Sequence, residues 1–101
     1  MSIKESVKLQ IGITHDKLDS EIARLEKVAK TELKRLGIKQ EKIDDNNDSL
    51  IEESVIDFIC KFIASDERDR ALWERAWDII STELKDSKEY RTWTVKGENN
   101  V

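Results

Sequence analysis

The residues of this chain that could do chemistry are few and stand far apart. It has one cysteine, Cys60, and one histidine, His15, in different segments. A catalytic thiolate needs a base beside it and an electropositive setting. Cys60 lies instead within the apolar run SLIEESVIDFICKFI, where it reads as a small packed hydrophobe. The run Asp44-Asp45-Asn46-Asn47-Asp48 invites a calcium reading. An EF-hand loop begun at Asp44 requires Gly where Ser49 stands and a bidentate Glu where Val55 stands, so the run reads as a polar loop ending in a helix cap. There is no Gly-rich phosphate loop, no His-Glu-x-x-His, no Cys/His cluster and no plausible Ser/His/Asp set. The expectation is a chain without catalytic, cofactor-binding or metal-binding residues, and not an enzyme.

The residues best suited to binding lie near the C-terminus. In KEYRTWTV, Tyr90, Thr92 and Thr94 alternate with Arg91, Trp93 and Val95, a short pattern of high β-propensity. Tyr, Trp and Arg are the side chains that most often anchor interfaces. A strand here has no evident partner in a chain that otherwise reads as helical. Residues 88–101 are therefore expected to form an extended arm and frayed tail, with Tyr90, Arg91, Trp93 and Val95 docking on a partner, for example by adding a strand to a sheet edge. The alternative is that Trp93 folds back onto its own helices.

The elements that position these residues follow from apolar spacing. At 101 residues the chain is one domain, and 40% charged residues, no proline and three glycines suit helices. Ser2 and Glu5 match a capping box, Ile3, Val7 and Ile11 follow at helical spacing, and Gly12 supplies a stop, which predicts a helix over 3–10. Thr14 or Asp16 can cap a long helix over 16–36, striped by Leu18, Ile22, Leu25, Ala29, Leu33 and Leu36, widened by Val28 and ended by Gly37. In the connection 37–48, Ile38 and Ile43 are expected to tuck under the core. Ser49 and Glu52 form a second capping box before the most apolar segment, 50–63, the expected central helix. Ser65 and Asp66 cap a last helix over 67–85, striped by Leu72, Trp73, Ala76, Trp77, Ile80 and Leu84 with Ile79 beside it; Trp73 and Trp77 read as core anchors. The fold class is all-α, a compact bundle of about four helices over 1–87 followed by the arm.

Charge narrows the partners. Eighteen basic residues against 22 acidic give a net charge of −4, and the basic residues of the long helix are interleaved with acids. A protein held on a phosphate backbone normally carries a basic stripe. A single cysteine forbids an intrachain disulfide, no apolar run approaches the ~20 residues that span a bilayer, and MSIKESVK has no signal-like apolar stretch. The expectation is a soluble protein folding in a reducing cytoplasm.

Taken together, the pieces resemble the small head–tail connector (adaptor) proteins of tailed bacteriophages over about residues 3–91. The resemblance runs through the first helix and IGITHDKLD, the long helix IARLEKVAKTELKRLGI, the polar loop, the helix SLIEESVIDFICKFIASDE, the Leu72/Trp73 helix and the SKEYR tail. The chain departs from many members in having no proline in the loop before the third helix. The resemblance implies a virion structural protein at the head–tail junction, made in the bacterial host cytoplasm. It implies a cyclic ring of copies under the portal protein, with a dodecamer among the options and assembly templated by the portal. Such a ring extends the DNA channel, with DNA only as passing cargo, and docks a downstream connector or tail-completion protein. The competing class is a small helical regulatory or nucleic-acid-associated module, which needs an exposed recognition helix. The long helix offers Lys17, Arg24, Lys27, Lys34 and Arg35, but with acids between them.

Overall fold

A serine hydroxyl starts the chain's first helix, as its spacing predicts: Ser2 Oγ accepts the Glu5 N–H at 3.1 Å. The structure, a computed structural model, describes residues 2–93. Five helices are found among the described residues, and no strand: α1 Ile3–Ile11, α2 Asp19–Arg35, α3 Gln40–Ile43, α4 Ser49–Ile63 and α5 Glu67–Asp86. None of them is long and apolar enough to cross a membrane. The described chain is all-α and compact.

Helix α1 ends at Gly12, whose φ of 83° puts it in the left-handed region, and the Gly12 and Ile13 N–H groups both return to the Lys8 carbonyl. Helix α2 begins three residues later than expected. Neither Thr14 nor Asp16 caps it; Leu18 holds the cap position without a side-chain bond. The reason is Lys8 on α1, which lies 3.0 Å from Asp16 and 2.9 Å from Asp19 and draws both carboxylates toward α1. Hydrogen bonding to Lys8 holds Asp19 below its usual carboxylate range.

The apolar stripe of α2 is buried at Ile22, Leu25, Ala29 and Leu33, whereas Val28 lies on its exposed rim. Ile38 and Ile43 are buried as expected, but the connection between them contains the extra one-turn helix α3. Helix α4 is capped by Asp48, not by the Ser49/Glu52 box. Asp48 Oδ1 accepts both the Leu50 and Ile51 N–H groups at 3.1 Å, an anionic acceptor at the positive end of the helix. Helix α4 packs against α1, α2 and α5 and buries Ile51, Val55, Ile56, Phe58, Ile59 and Cys60. Asp66 caps α5 through the Arg68 and Asp69 N–H groups. Trp77, Ile80 and Leu84 point inward from α5, and Phe58 meets Trp77 edge-to-face at 5.0 Å between centroids. Leu72, expected within that stripe, is instead exposed, because α1 and α5 both lean on α4 and leave a groove of about 340 Å³ bordered by Ile11, Ala64, Leu72 and Trp73.

After Asp86 the chain turns at Ser87, whose carbonyl accepts the Tyr90 and Arg91 N–H groups, and runs back over the end of α2. Residues 88–93 therefore do not project as a free arm.

Candidate interaction surfaces

The expected partner segment is held by an intrachain partner that sequence reading missed. Ile38 and Arg91 form an antiparallel bridge. The Lys39 N–H donates to the Tyr90 carbonyl at 2.6 Å, and the Thr92 N–H donates to the Gly37 carbonyl at 2.7 Å. Two features of the sequence make this possible. Gly37 takes φ +91°, and a Cβ there would stand 2.7 Å from Trp93 Cδ1, so only glycine lets the indole settle on the turn. Asp48, already the cap of α4, also accepts the Tyr90 hydroxyl at 2.9 Å. Burial, and then the bond to Asp48, push the Tyr90 phenol up to about 12.

Arg91 is buried and multiply held. Its Nη1 donates to the Asp86 carbonyl at the end of α5, its Nε donates to the Trp93 carbonyl, and its guanidinium lies 4.5 Å from the Trp93 ring centroid. Lys42 on α3 reaches both Glu89, at 3.2 Å, and the Tyr90 ring. Tyr90 and Arg91 thus face their own chain, Trp93 is 39% exposed, and Val95 lies outside the described residues.

Large apolar side chains stand open to water elsewhere. Phe62 is 56% exposed beside Lys61, Arg70 and Glu74, with the Lys61 ammonium over the Phe58, Phe62 and Trp77 rings. On the other side of α5, Leu72 and Ile79 are 59% and 57% exposed, with half-buried Ala76 between them. Leu9 at the end of α1 is the most exposed large apolar side chain among the described residues. The helical period marked Ile79 as lying beside the stripe of α5, and that was the one signal for a second apolar face.

The residues that could do chemistry are kept apart. His15 is exposed and its Nδ1 accepts the Lys17 N–H, whereas Cys60 is fully buried in α4, its thiol pushed up to about 12 by burial. In the acidic loop, Asp45 accepts the Asn47 N–H, Asp44 accepts the Gln40 amide, and Asp48 serves α4 and Tyr90. Among the described residues no group of three His, Cys, Asp or Glu side chains is placed to hold a metal ion. Asp57 is the unusual acid: it is 4% exposed on α4, and burial together with Glu53 one turn earlier pushes its carboxyl up to about 7. Compared with protein-family models, with curated proteins and with solved structures, the chain matches none.

Proposed function

We propose that this chain is a structural virion protein of a tailed-phage head–tail connector, acting through assembly and not through catalysis. In this reading copies form a ring under the portal, extend the DNA channel and present a surface to the next connector or tail-completion protein. The four longer helices are the frame of each subunit, and the segment from Tyr90 onward lies at its edge. Of Tyr90, Arg91, Trp93 and Val95, Trp93 alone is both described and open enough to meet a partner, so it carries the docking role assigned to the arm.

The observation that carries the proposal is the pair of uncovered apolar sides flanking α5. Leu72 and Ile79 lie on one side, and Phe62, next to Arg70 and Glu74, lies on the other. A subunit in a closed head-to-tail ring must offer two different patches to its two neighbours, and large exposed apolar groups mark such patches. The remaining surface of α2 and α5 is densely charged with both signs, which suits contacts that are individually weak and salt-sensitive and so form on a template.

The test is electron microscopy of the protein mixed with purified portal rings of the same virus, at low and high salt. A collar of added density on the portal at low salt is the expected result. Bare portal rings at every salt concentration, with the protein folded and in excess, would overturn the proposal.

A further inference from the structure

The outer stripe of α5 has a symmetry of its own. Arg68, Leu72, Ala76, Ile79 and Glu83 succeed one another at steps of three or four residues, so they lie along one side of the helix. Arg68, Leu72, Ile79 and Glu83 are exposed and Ala76 is half-buried. Leu72 and Ile79 stand equally far from the midpoint between Arg75 and Ala76. Arg68 and Glu83 also stand equally far from it, about 11 Å on either side at 1.5 Å per residue. The two ends are of opposite charge and the middle is apolar.

Arg68 and Glu83, at the ends of the stripe, also enter no ion pair among the described residues. On α2, Arg24, Lys30 and Arg35 each pair with an acid one turn away. Among the described residues no ion pair involves a charge on α5.

We infer that this face of α5 is a self-association surface whose partner is a second copy of the chain, with the two α5 helices antiparallel about a twofold axis between Arg75 and Ala76. In that register Leu72 meets Ile79 of the second copy, and Arg68 meets Glu83 of the second copy. Each contact occurs twice, as an isologous interface requires. Ala76 at the axis lets the backbones approach closely. The one unfavourable contact is Arg75 with its own copy, on the rim, where water and salt screen it. The face of a single helix buries less than the roughly 1,600 Å² of a standard stable interface, so the pair is weak and depends on concentration. The inference goes beyond the connector proposal, because a head-to-tail ring mates this stripe with a different patch. Copies paired in solution must part to enter such a ring.

Sedimentation equilibrium of the full chain from about 10 μM to about 1 mM tests it. The weight-average mass is expected to rise from the monomer's 11.8 kDa toward twice that value. Leu72→Asp, at an exposed position, is expected to hold the chain monomeric with its helix content unchanged. Arg68→Glu and Glu83→Arg should each weaken the dimer about tenfold, since each places two like-charge contacts at the rim. The double variant Arg68→Glu/Glu83→Arg should restore it to within about threefold of the original. A chain that stays monomeric at about 1 mM overturns the inference. So does a dimer indifferent to Leu72→Asp, or a double variant as weak as its two parents. Arg75→Gln relieves the like charges at the axis and should tighten the dimer; loosening refutes the register.

Discussion

Asp57 gives the most discriminating test of the core. It is a carboxyl placed on the most apolar helix and almost wholly removed from water. Burial disfavours the charged form first, and Glu53 one turn earlier adds its own negative charge and a hydrogen bond to the protonated form. The folded carboxyl therefore ionises near 7, against 3.8 for an ordinary aspartate. The sign follows from proton counting. Below about pH 4 both states hold the proton. Between about pH 4 and 7 the unfolded chain has released it and the folded chain retains it, so stability falls as pH rises, by about 1.4 kcal/mol per pH unit. Above about 7 both are ionised and the slope vanishes.

Between pH 5 and pH 8 the wild type should therefore lose roughly 3 kcal/mol, a large part of the 5–15 kcal/mol usual for a domain. The acids held low by Lys8, Arg24 and Arg35, namely Asp19, Glu21 and Glu32, lose their contribution only as pH falls below the ordinary carboxylate range, outside this window. Asp57→Asn keeps the shape and a hydrogen-bonding group but removes the titration. The variant should match wild type near pH 5 and exceed it by roughly 2–3 kcal/mol at pH 8. Urea unfolding followed by tryptophan fluorescence would show this as a midpoint shift of about 1–3 M at pH 8. Glu53→Gln, which removes the second cause, should end the fall at a lower pH and so shrink the total loss without abolishing it. Equal wild-type midpoints at pH 5 and 8, or an Asn variant that keeps the wild-type slope, would refute the reasoning.

Phe58→Ala removes the ring that packs against Trp77 and should cost roughly 3–5 kcal/mol in equilibrium unfolding. Gly37→Ala forces a side chain into φ +91° and against Trp93, so a loss of about 1–3 kcal/mol is expected from the thermal midpoint, and Trp93→Ala in the same background should lessen it. Ending the chain at Asp86 removes the buried Tyr90 and Arg91 and uncovers Ile38; the cost should be roughly 3 kcal/mol, and a truncated chain as stable as the whole would show that residues 88–93 do not hold to the body. Chelators should leave the melting temperature unchanged, because the acidic loop spends Asp44, Asp45 and Asp48 on hydrogen bonds within the chain; a fall of several degrees would refute that account.

The long helices are legible because their apolar residues repeat with the helical period and their ends carry Ser2, Gly12, Gly37 and Asp66. The departures from that pattern involve choices that local sequence leaves open. Asp48 and Ser49 are both competent caps, and the contact that favours Asp48, the Tyr90 hydroxyl, comes from 42 positions away. Asp16 looks like a cap until Lys8 on another helix takes its carboxylate. Helix α3 has four residues, too few to display a period. The partner of Tyr90–Thr92 is only Gly37–Lys39, too short to show strand alternation and 55 positions away at the Thr92–Gly37 bond.

The surfaces were less legible than the core for a related reason. Period fixes the direction in which a side chain points, but not whether a neighbour stands there to cover it. On α5 the inward set Trp73, Trp77, Ile80 and Leu84 and the outward set Leu72, Ala76 and Ile79 merge in the sequence into one broad stripe. They separate only because α4 covers the first set while α1, also leaning on α4, stops short of the second. The C-terminal segment shows the converse. Tyr90 and Arg91 have the residue types of an interface, and they are one, but with Gly37–Lys39 and Asp48 of their own chain. Residue type thus announced that these groups would be buried, and topology decided by what. Much of the surface left for another molecule lies on α5, where apolar residues at helical spacing meet charges that form no ion pair within the described chain.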